Sequence, residues 1–353
     1  MKILLIRLRL IGDVVFTTPA VGAVRRRFPD ARITYLVEAP AAPVIAHHRA
    51  LDHVQVLDRP RGLARWRYDL AMARRLRAEH FDLVIDFHGG PRSSLLTWAT
   101  GAPQRIGYNL PGRQWCYTTR VAWTPALVPP THSVINQWAL LAPLGIGDPD
   151  RAVDRVTMPV DNDAVVRVTS RLRDAGVDAA APLIVFHVSA GNPFRRWPAE
   201  SFAQVAATLA AADRARRIVI TSGPSDRDAA EAVTAQARVL AGEAADGIVW
   251  AGEFNLPELR ALIVRAALYI GGDSGPLHIA ATTDTPVVAL FGPTLPERSM
   301  PWRDPAIGAI AVDGGALPCR PCHQRHCAPG DFRCLTAISP TMVVQAAQNL
   351  LRR

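Results

Sequence analysis

Four short stretches of this chain place acids, glycines, hydroxyls and cations close together. The first is Arg7-Leu8-Arg9-Leu10-Ile11-Gly12-Asp13. Gly12 permits a tight turn and a close backbone approach. Asp13 follows it near the start of a helix that contains Pro19, so it reads either as a proton-accepting carboxylate or as that helix's cap. The second stretch is Gly271-Gly272-Asp273-Ser274-Gly275-Pro276-Leu277-His278. Its glycines let backbone amides approach a ligand. Asp273, Ser274 and the helix start after Pro276 offer N–H donors and a positive dipole end, and His278 on the first turn reaches the same place. A diphosphate suits such a site; a plain strand-to-helix turn with His278 in the core is the alternative. The stretch lacks the Gly-Lys-Ser/Thr of a phosphate-binding loop and the Gly-x-Gly-x-x-Gly of dinucleotide folds.

The third stretch runs from Ser189 to Pro198. Gly191 and Asn192 suit a turn, and Arg195 and Arg196 can clamp phosphate oxygens. Trp197 and Pro198 read as packing for the next helix. The fourth is Phe291-Gly292-Pro293-Thr294, with Thr294 a candidate ligand contact. Phe254 and the Gly223–Asp226 turn also follow strands, and read as nucleoside contacts or as simple loops. Separately, Cys319, Cys322, Cys327 and Cys334 form C-x2-C-x4-C-x6-C, while Cys116 stands apart. That spacing could hold zinc or an iron–sulfur centre, remain as reduced thiols, or pair on oxidation.

The elements that must position these residues are legible as alternating apolar runs and helical patterns. Ile3–Leu8, Ile33–Val37, Val54–Leu57 and Leu83–Phe87 read as buried strands in the first half. Leu183–Val188, Arg217–Thr221, Ile248–Trp250, Leu268–Ile270 and Val287–Phe291 read so in the second. Helices are expected over Thr18–Phe28, Val134–Leu144, Ala199–Ala212, Arg227–Leu240, Leu256–Ala267 and Thr341–Leu351, the last opened by Ser339 as cap and Pro340 as first residue. Such alternation predicts an α/β chain with parallel sheets covered on both faces. At 353 residues, two domains are expected. The proline-rich stretch 124–157 suggests a boundary near Asp148–Asp161, giving domains 1–155 and 156–353. In open α/β sheets ligands bind at the carboxyl ends of strands, and all four stretches fall there.

Composition narrows the partners. The net charge is +9, nearly all of it from arginine, with Lys2 the sole lysine. An anionic partner or a merely solvated basic surface both fit. No segment has the length of a membrane span. The amino-terminal run reads as a first strand and not a signal peptide, so a cytoplasmic protein is expected, with a membrane surface reachable through charge. No compact stretch reads as interleaved aromatic and basic residues, so nucleic acid is not expected as a partner.

In this order the stretches resemble the ADP-heptose:lipopolysaccharide heptosyltransferases of glycosyltransferase family 9. The resemblance spans nearly the whole chain. It rests on residues 11–19, on 86–94 with Arg105-Ile106-Gly107, on Arg196-Trp197-Pro198, on 273–278 and on 291–294. It implies a GT-B architecture of two Rossmann-like domains facing across a cleft, and an inverting transfer with no cofactor and no catalytic metal. It implies Asp13 as the general base and Asp273, Ser274, Gly275, Pro276 and His278 as the donor-binding segment, with Ser189, Gly191, Asn192, Arg195, Arg196, Phe254 and Thr294 around it. Arg195 stands where relatives usually carry lysine. The implied partners are ADP-heptose and a lipid-anchored lipopolysaccharide core, met by peripheral contact with the inner membrane. Arg9, Arg59, Arg61, Arg92 and Arg113 are then candidates for acceptor phosphates and carboxylates. Arg9 and Leu10 replace the serines common before the Gly-Asp pair. The last helix, 341–351, is expected to pack back on the first domain. A similar cysteine-rich loop recurs in relatives whose chemistry uses no metal. The alternative keeps the fold and changes the nucleotide-sugar or the glycan acceptor.

Overall fold

The run Ile3, Leu4, Leu5, Ile6 has no solvent exposure at all, which is what a central parallel strand covered by helices on both faces requires. The computed structural model describes residues 1–123, 130–223, 226–322 and 324–352. Part of the proline-rich stretch, the middle of the Gly223–Asp226 turn and His323 therefore lie outside the described residues. The chain divides into two units, Met1–Pro159 and Val160–Arg353.

In the first unit the strands are β1 (Lys2–Ile6), β2 (Arg32–Glu38), β3 (His53–Leu57), β4 (Leu83–Asp86), β5 (Gln104–Tyr108) and β6 (Thr119–Val121). They lie in the order β3-β2-β1-β4-β5-β6, every pair parallel. The second unit has β7 (Leu183–His187), β8 (Arg217–Thr221), β9 (Ile248–Trp250), β10 (Ala266–Gly272), β11 (Val287–Phe291) and β12 (Ala309–Asp313). Their order is β12-β11-β10-β7-β8-β9, again all parallel. Counted within each unit, both sheets follow the doubly wound order 3-2-1-4-5-6. Each therefore has a switch point between its first and fourth strands, β1/β4 and β7/β10, where the crossovers diverge and a crevice opens.

The sequence reading leaves out β5, β6 and β12, and the helices Leu63–Ala78, Pro91–Ala99 and Asn162–Asp174. It expects one helix at Val134–Leu144, where an α-helix Ser133–Trp138 runs into a 3-10 turn, Ala139–Leu144, that accommodates Pro143. The last helix is Pro340–Leu351, and Ser339 caps it by accepting from the Met342 amide at 3.3 Å. Val343, Ala346, Ala347 and Leu350 form one face at helical spacing, and all four lie in the second unit's core with Phe202, Val288 and Leu290.

Candidate active site

At the first switch point, Arg7 leaves the end of β1 and is buried. One guanidinium nitrogen donates to the Phe87 carbonyl at 2.6 Å, and another pairs closely with the Asp13 carboxylate. Asp13 is the third residue of the Ile11–Arg27 helix, whose cap position is Leu10 with no side-chain cap bond. Capping is therefore not its role. The helix dipole and Arg7 both favour an anion there, and the side chain keeps 26% exposure. Leu10 has φ 60, an uncommon conformation for a branched residue, and is two-thirds exposed beside exposed Arg9.

Across the switch point, Asp86 at the end of β4 is fully buried. It accepts from the amides of His88 (2.9 Å) and Gly89 (3.0 Å), from the Ser93 hydroxyl (2.9 Å) and from the Tyr117 hydroxyl (2.7 Å). These four donors fix the turn that carries His88. Burial, then the charges of Arg7 and Arg9, hold the His88 imidazole down at about 4, so it is neutral at neutral pH. The same electrostatic neighbourhood includes Asp13. Arg7 and His88 are absent from the residues read as functional in the sequence. Their signal was positional: each lies just beyond a strand at a switch point.

The arginines expected to meet an acceptor divide. Arg9, Arg59 and Arg61 are exposed and Arg113 is half-buried. Arg92 is engaged inside the fold. Its guanidinium donates to Asp69 (2.6 and 3.0 Å), to Glu38 (3.0 Å) and to the Asp58 carbonyl (2.9 Å), with 9% exposure. It ties β2 to two helices and has little left for a ligand.

At the second switch point, between β7 and β10, the centre is Asp273, only 3% exposed. Its Oδ2 accepts from the Thr294 hydroxyl (2.6 Å) and from Arg195 Nη1 (3.2 Å), and its Oδ1 lies 3.5 Å from His278 Nε2. Burial alone would raise this carboxyl, but His278, Arg195 and Thr294 together bring it down to about 2. Its own amide donates to the Leu290 carbonyl (3.1 Å), continuing the sheet, so that amide is not the open donor expected. Asp273 thus organises a cation, an imidazole and a hydroxyl. The six-residue helix Gly275–Ala280 starts on Ser274, with Gly275 and Pro276 half-buried. A side chain at Gly272 would come within 3.1 Å of the Arg195 carbonyl, which is why β10 ends in glycine.

Arg195 is held by a second partner. Gln324 Oε1 accepts from Arg195 Nε (2.6 Å) and from Asn192 Nδ2 (3.0 Å), and Asn192 Oδ1 caps the turn Pro193–Arg195. Gln324 sits in the cysteine loop at φ 55, its amide donating to Cys322 Sγ (3.4 Å). Arg196 donates to the Ala190 carbonyl (2.9 Å) and pairs with Asp226 (2.8 Å). Gly191 is exposed, with open space where a Cβ would stand.

Two residues expected at the donor are occupied within the fold. Thr221 Oγ1 donates to the Phe186 carbonyl (2.8 Å), so it accepts from His187 Nδ1 (3.1 Å). His187 Nε2 then accepts from the Ser189 hydroxyl (3.0 Å), which itself accepts from the Gly223 amide (2.8 Å). Ser189 therefore sets the β7 and β8 loops, because its proton is already placed. Phe254 is buried, with the Arg171 guanidinium 4.1 Å over one face of its ring. All five cysteines are free thiols, and the four of the loop are half-buried. Among the described residues, no three His, Cys, Asp or Glu side chains stand grouped to hold a metal ion.

The chain matches glycosyltransferase family 9 (heptosyltransferase) over residues 70–331. It is 29% identical over 347 residues to lipopolysaccharide heptosyltransferase 3 of Escherichia coli (strain K12), covering 98% of this chain and 96% of that protein. Its fold is similar to that of a glycosyl transferase family 9 protein from Veillonella parvula DSM 2008, with TM-score 0.84 and 25% identity over 99% of this chain and 97% of that one. It is also similar to E. coli ADP-heptose lps heptosyltransferase II, with TM-score 0.78 and 20% identity over 100% and 99% of the two chains. With these neighbours, the paired doubly wound units have the GT-B fold.

Proposed function

The chain belongs to glycosyltransferase family 9, the heptosyltransferases, and from that premise we propose that it transfers heptose from ADP-heptose to a lipopolysaccharide core acceptor with inversion. The observation that supports this best is the gathering of polar and charged motif side chains at each sheet's switch point: Asp13 with Arg7 in one, Arg195, Asp273 and His278 in the other. Asp13, steered by Arg7, takes the proton of the acceptor hydroxyl as that oxygen attacks the anomeric carbon. The bond from that carbon to the diphosphate oxygen breaks, and ADP departs with the added charge. Arg195 and Arg196 offset that charge, and His278 and the amides of Ser274 and Gly275 donate hydrogen bonds to it, so no metal is called for. Arg9, Arg59, Arg61 and Arg113 meet acceptor phosphates and carboxylates. The acceptor is anchored in lipid, so the enzyme works at the cytoplasmic face of the inner membrane.

Incubation with ADP-heptose and truncated lipopolysaccharide acceptors, with the product identified by mass, tests the reading. One added heptose is expected. Turnover solely with another nucleotide-sugar in a donor panel would overturn the donor assignment.

A further inference from the structure

The Leu63–Ala78 helix has two apolar faces. With 3.6 residues per turn, Leu63, Trp66 and Leu70 fall within about 60° of arc, and Met72 and Leu76 lie about 130° away. The second pair is buried in the first unit's core with Leu36, Leu57 and Val84. The first three point outward: Leu63 is 84% exposed, Trp66 75% and Leu70 53%. Arg67 and Arg74 lie within about 40° of the edge of that arc and are exposed. The helix carries five arginines against one aspartate, and Arg59 and Arg61 precede it. Arg92 of the Pro91–Ala99 helix bonds Asp69, joining the two helices. That neighbour adds exposed Trp98, edge-on to exposed Trp115 at 5.5 Å.

Leaving such side chains in water gains nothing for the fold, and three tryptophans in one outer layer mark a contact surface. Its composition selects the partner. Leucines and tryptophans at the centre with arginines around them match the acyl boundary and the anionic headgroups of a bilayer. A nucleic acid would use the arginines but leave Leu63 and Leu70 unsatisfied. A second copy meeting this face symmetrically would set arginine against arginine. We propose that the outward face of the Leu63–Ala78 helix, with Trp98 and Trp115 beside it, docks the first unit on an anionic phospholipid bilayer. The proposal deepens the proposed function and rests on it for one thing, that the acceptor is anchored in such a bilayer. It also corrects the sequence reading, which missed Arg65-Trp66-Arg67-Tyr68 as an interleaved basic and aromatic run.

Cosedimentation of the full chain with sucrose-loaded vesicles tests it, using phosphatidylcholine with and without about a third of phosphatidylglycerol. Binding to the anionic vesicles, weakened by salt, is expected. The variant Leu63→Ser/Trp66→Ser/Leu70→Ser should bind them about tenfold or more weakly. Its thermal midpoint and its transfer to a delipidated, water-soluble acceptor should match the parent's, because these side chains contact solvent. The proposal falls if the parent ignores anionic vesicles or the variant binds them equally. It falls also if the substitutions spare vesicle binding and instead dissolve a dimer or abolish duplex binding. Vesicle binding lost in the variant but no transfer by either protein would sink the proposed activity and leave the docking face standing.

Discussion

Both units place a carboxylate at the switch point of the same strand order, and the two carboxylates live in opposite surroundings. Asp13 has one cation partner and keeps a quarter of its surface open. Asp273 is closed off, with Thr294, Arg195 and His278 around it. An open, steered carboxylate can accept a proton from a molecule that arrives. A carboxylate held at about 2 with its oxygens in use is an organiser of other groups. The outer layers differ in the same sense. Trp66, Trp98, Trp115 and Trp123 of the first unit are exposed, whereas Trp197 and Trp302 of the second are buried. Trp138 of the first unit is buried as well, so the contrast lies in the outward tryptophans of that unit.

Neutralising each acid in turn separates the two roles most strongly. Asp13→Asn keeps the shape and removes the base, so transfer should fall about 10²–10⁴-fold while ADP binding is unchanged. Asp273→Asn should show the reverse pattern, weakened ADP binding with residual turnover at saturating donor. Single-turnover rates beside calorimetric ADP titrations separate the two. Near-normal turnover by Asp13→Asn would show that the open carboxylate is not the base.

Arg195→Ala comes next. A charged hydrogen bond to an anion contributes roughly 1.5–3 kcal/mol, so ADP affinity should drop about 10- to 100-fold. The KM for acceptor should stay within a factor of about two, because Arg195 belongs to the second unit's cluster. A change confined to acceptor KM would reverse the assignment of the two units.

How much of this was readable beforehand follows from burial. Strands such as β7 and β11 were plain because parallel strands covered on both faces are continuous apolar runs. β12 was not: in Ala309–Asp313 only Val312 is buried, so the run carries no clear period. The Leu63–Ala78 helix was hidden by its two apolar stripes, which together erase a single amphipathic face. At the site, Asp13 and Asp273 stood out because a glycine directly precedes each. What motifs do not record is which donors are already taken. Ser189, Thr294 and Arg92 have suitable chemistry for ligands, but they are engaged by hydrogen-bond partners 21 to 54 positions away. Arg7 and His88 gain meaning from the adjacency of β1 and β4, which is a property of the sheet.

Acidification should act on buried imidazoles in both units, His187 in the second among them. Burial lowers His187 to about 4 from 6.5, so it enters the fold neutral. Its folded value lies below the unfolded one. Its contribution is therefore full above pH 6.5 and is lost as pH falls from there toward 4. By pH 5 the loss is about 2 kcal/mol. His88 adds the same sign in the first unit. Chemical denaturation at pH 7 and pH 5 should show His187→Gln with a flatter pH dependence than the parent. Equal slopes would mean that His187 is protonated within the fold.

The smallest effect tests whether the cysteine loop belongs to the donor site. Gln324 bridges Asn192 and Arg195 from that loop, through neutral–polar and cation–polar bonds that leave Arg195 still paired with Asp273. Losing one such bond costs roughly 0.5–1.5 kcal/mol, so Gln324→Ala should weaken ADP binding about two- to tenfold. In the double variant with Arg195→Ala the two losses should not add, since Gln324 acts through Arg195. Gln324→Glu should recover or exceed the parent's affinity if fixing Arg195 is what matters, because a carboxylate holds a guanidinium more firmly. Additive losses, or a Gln324→Glu variant as weak as Gln324→Ala, would separate the loop from the donor cluster and leave Asp273 as the sole group orienting Arg195.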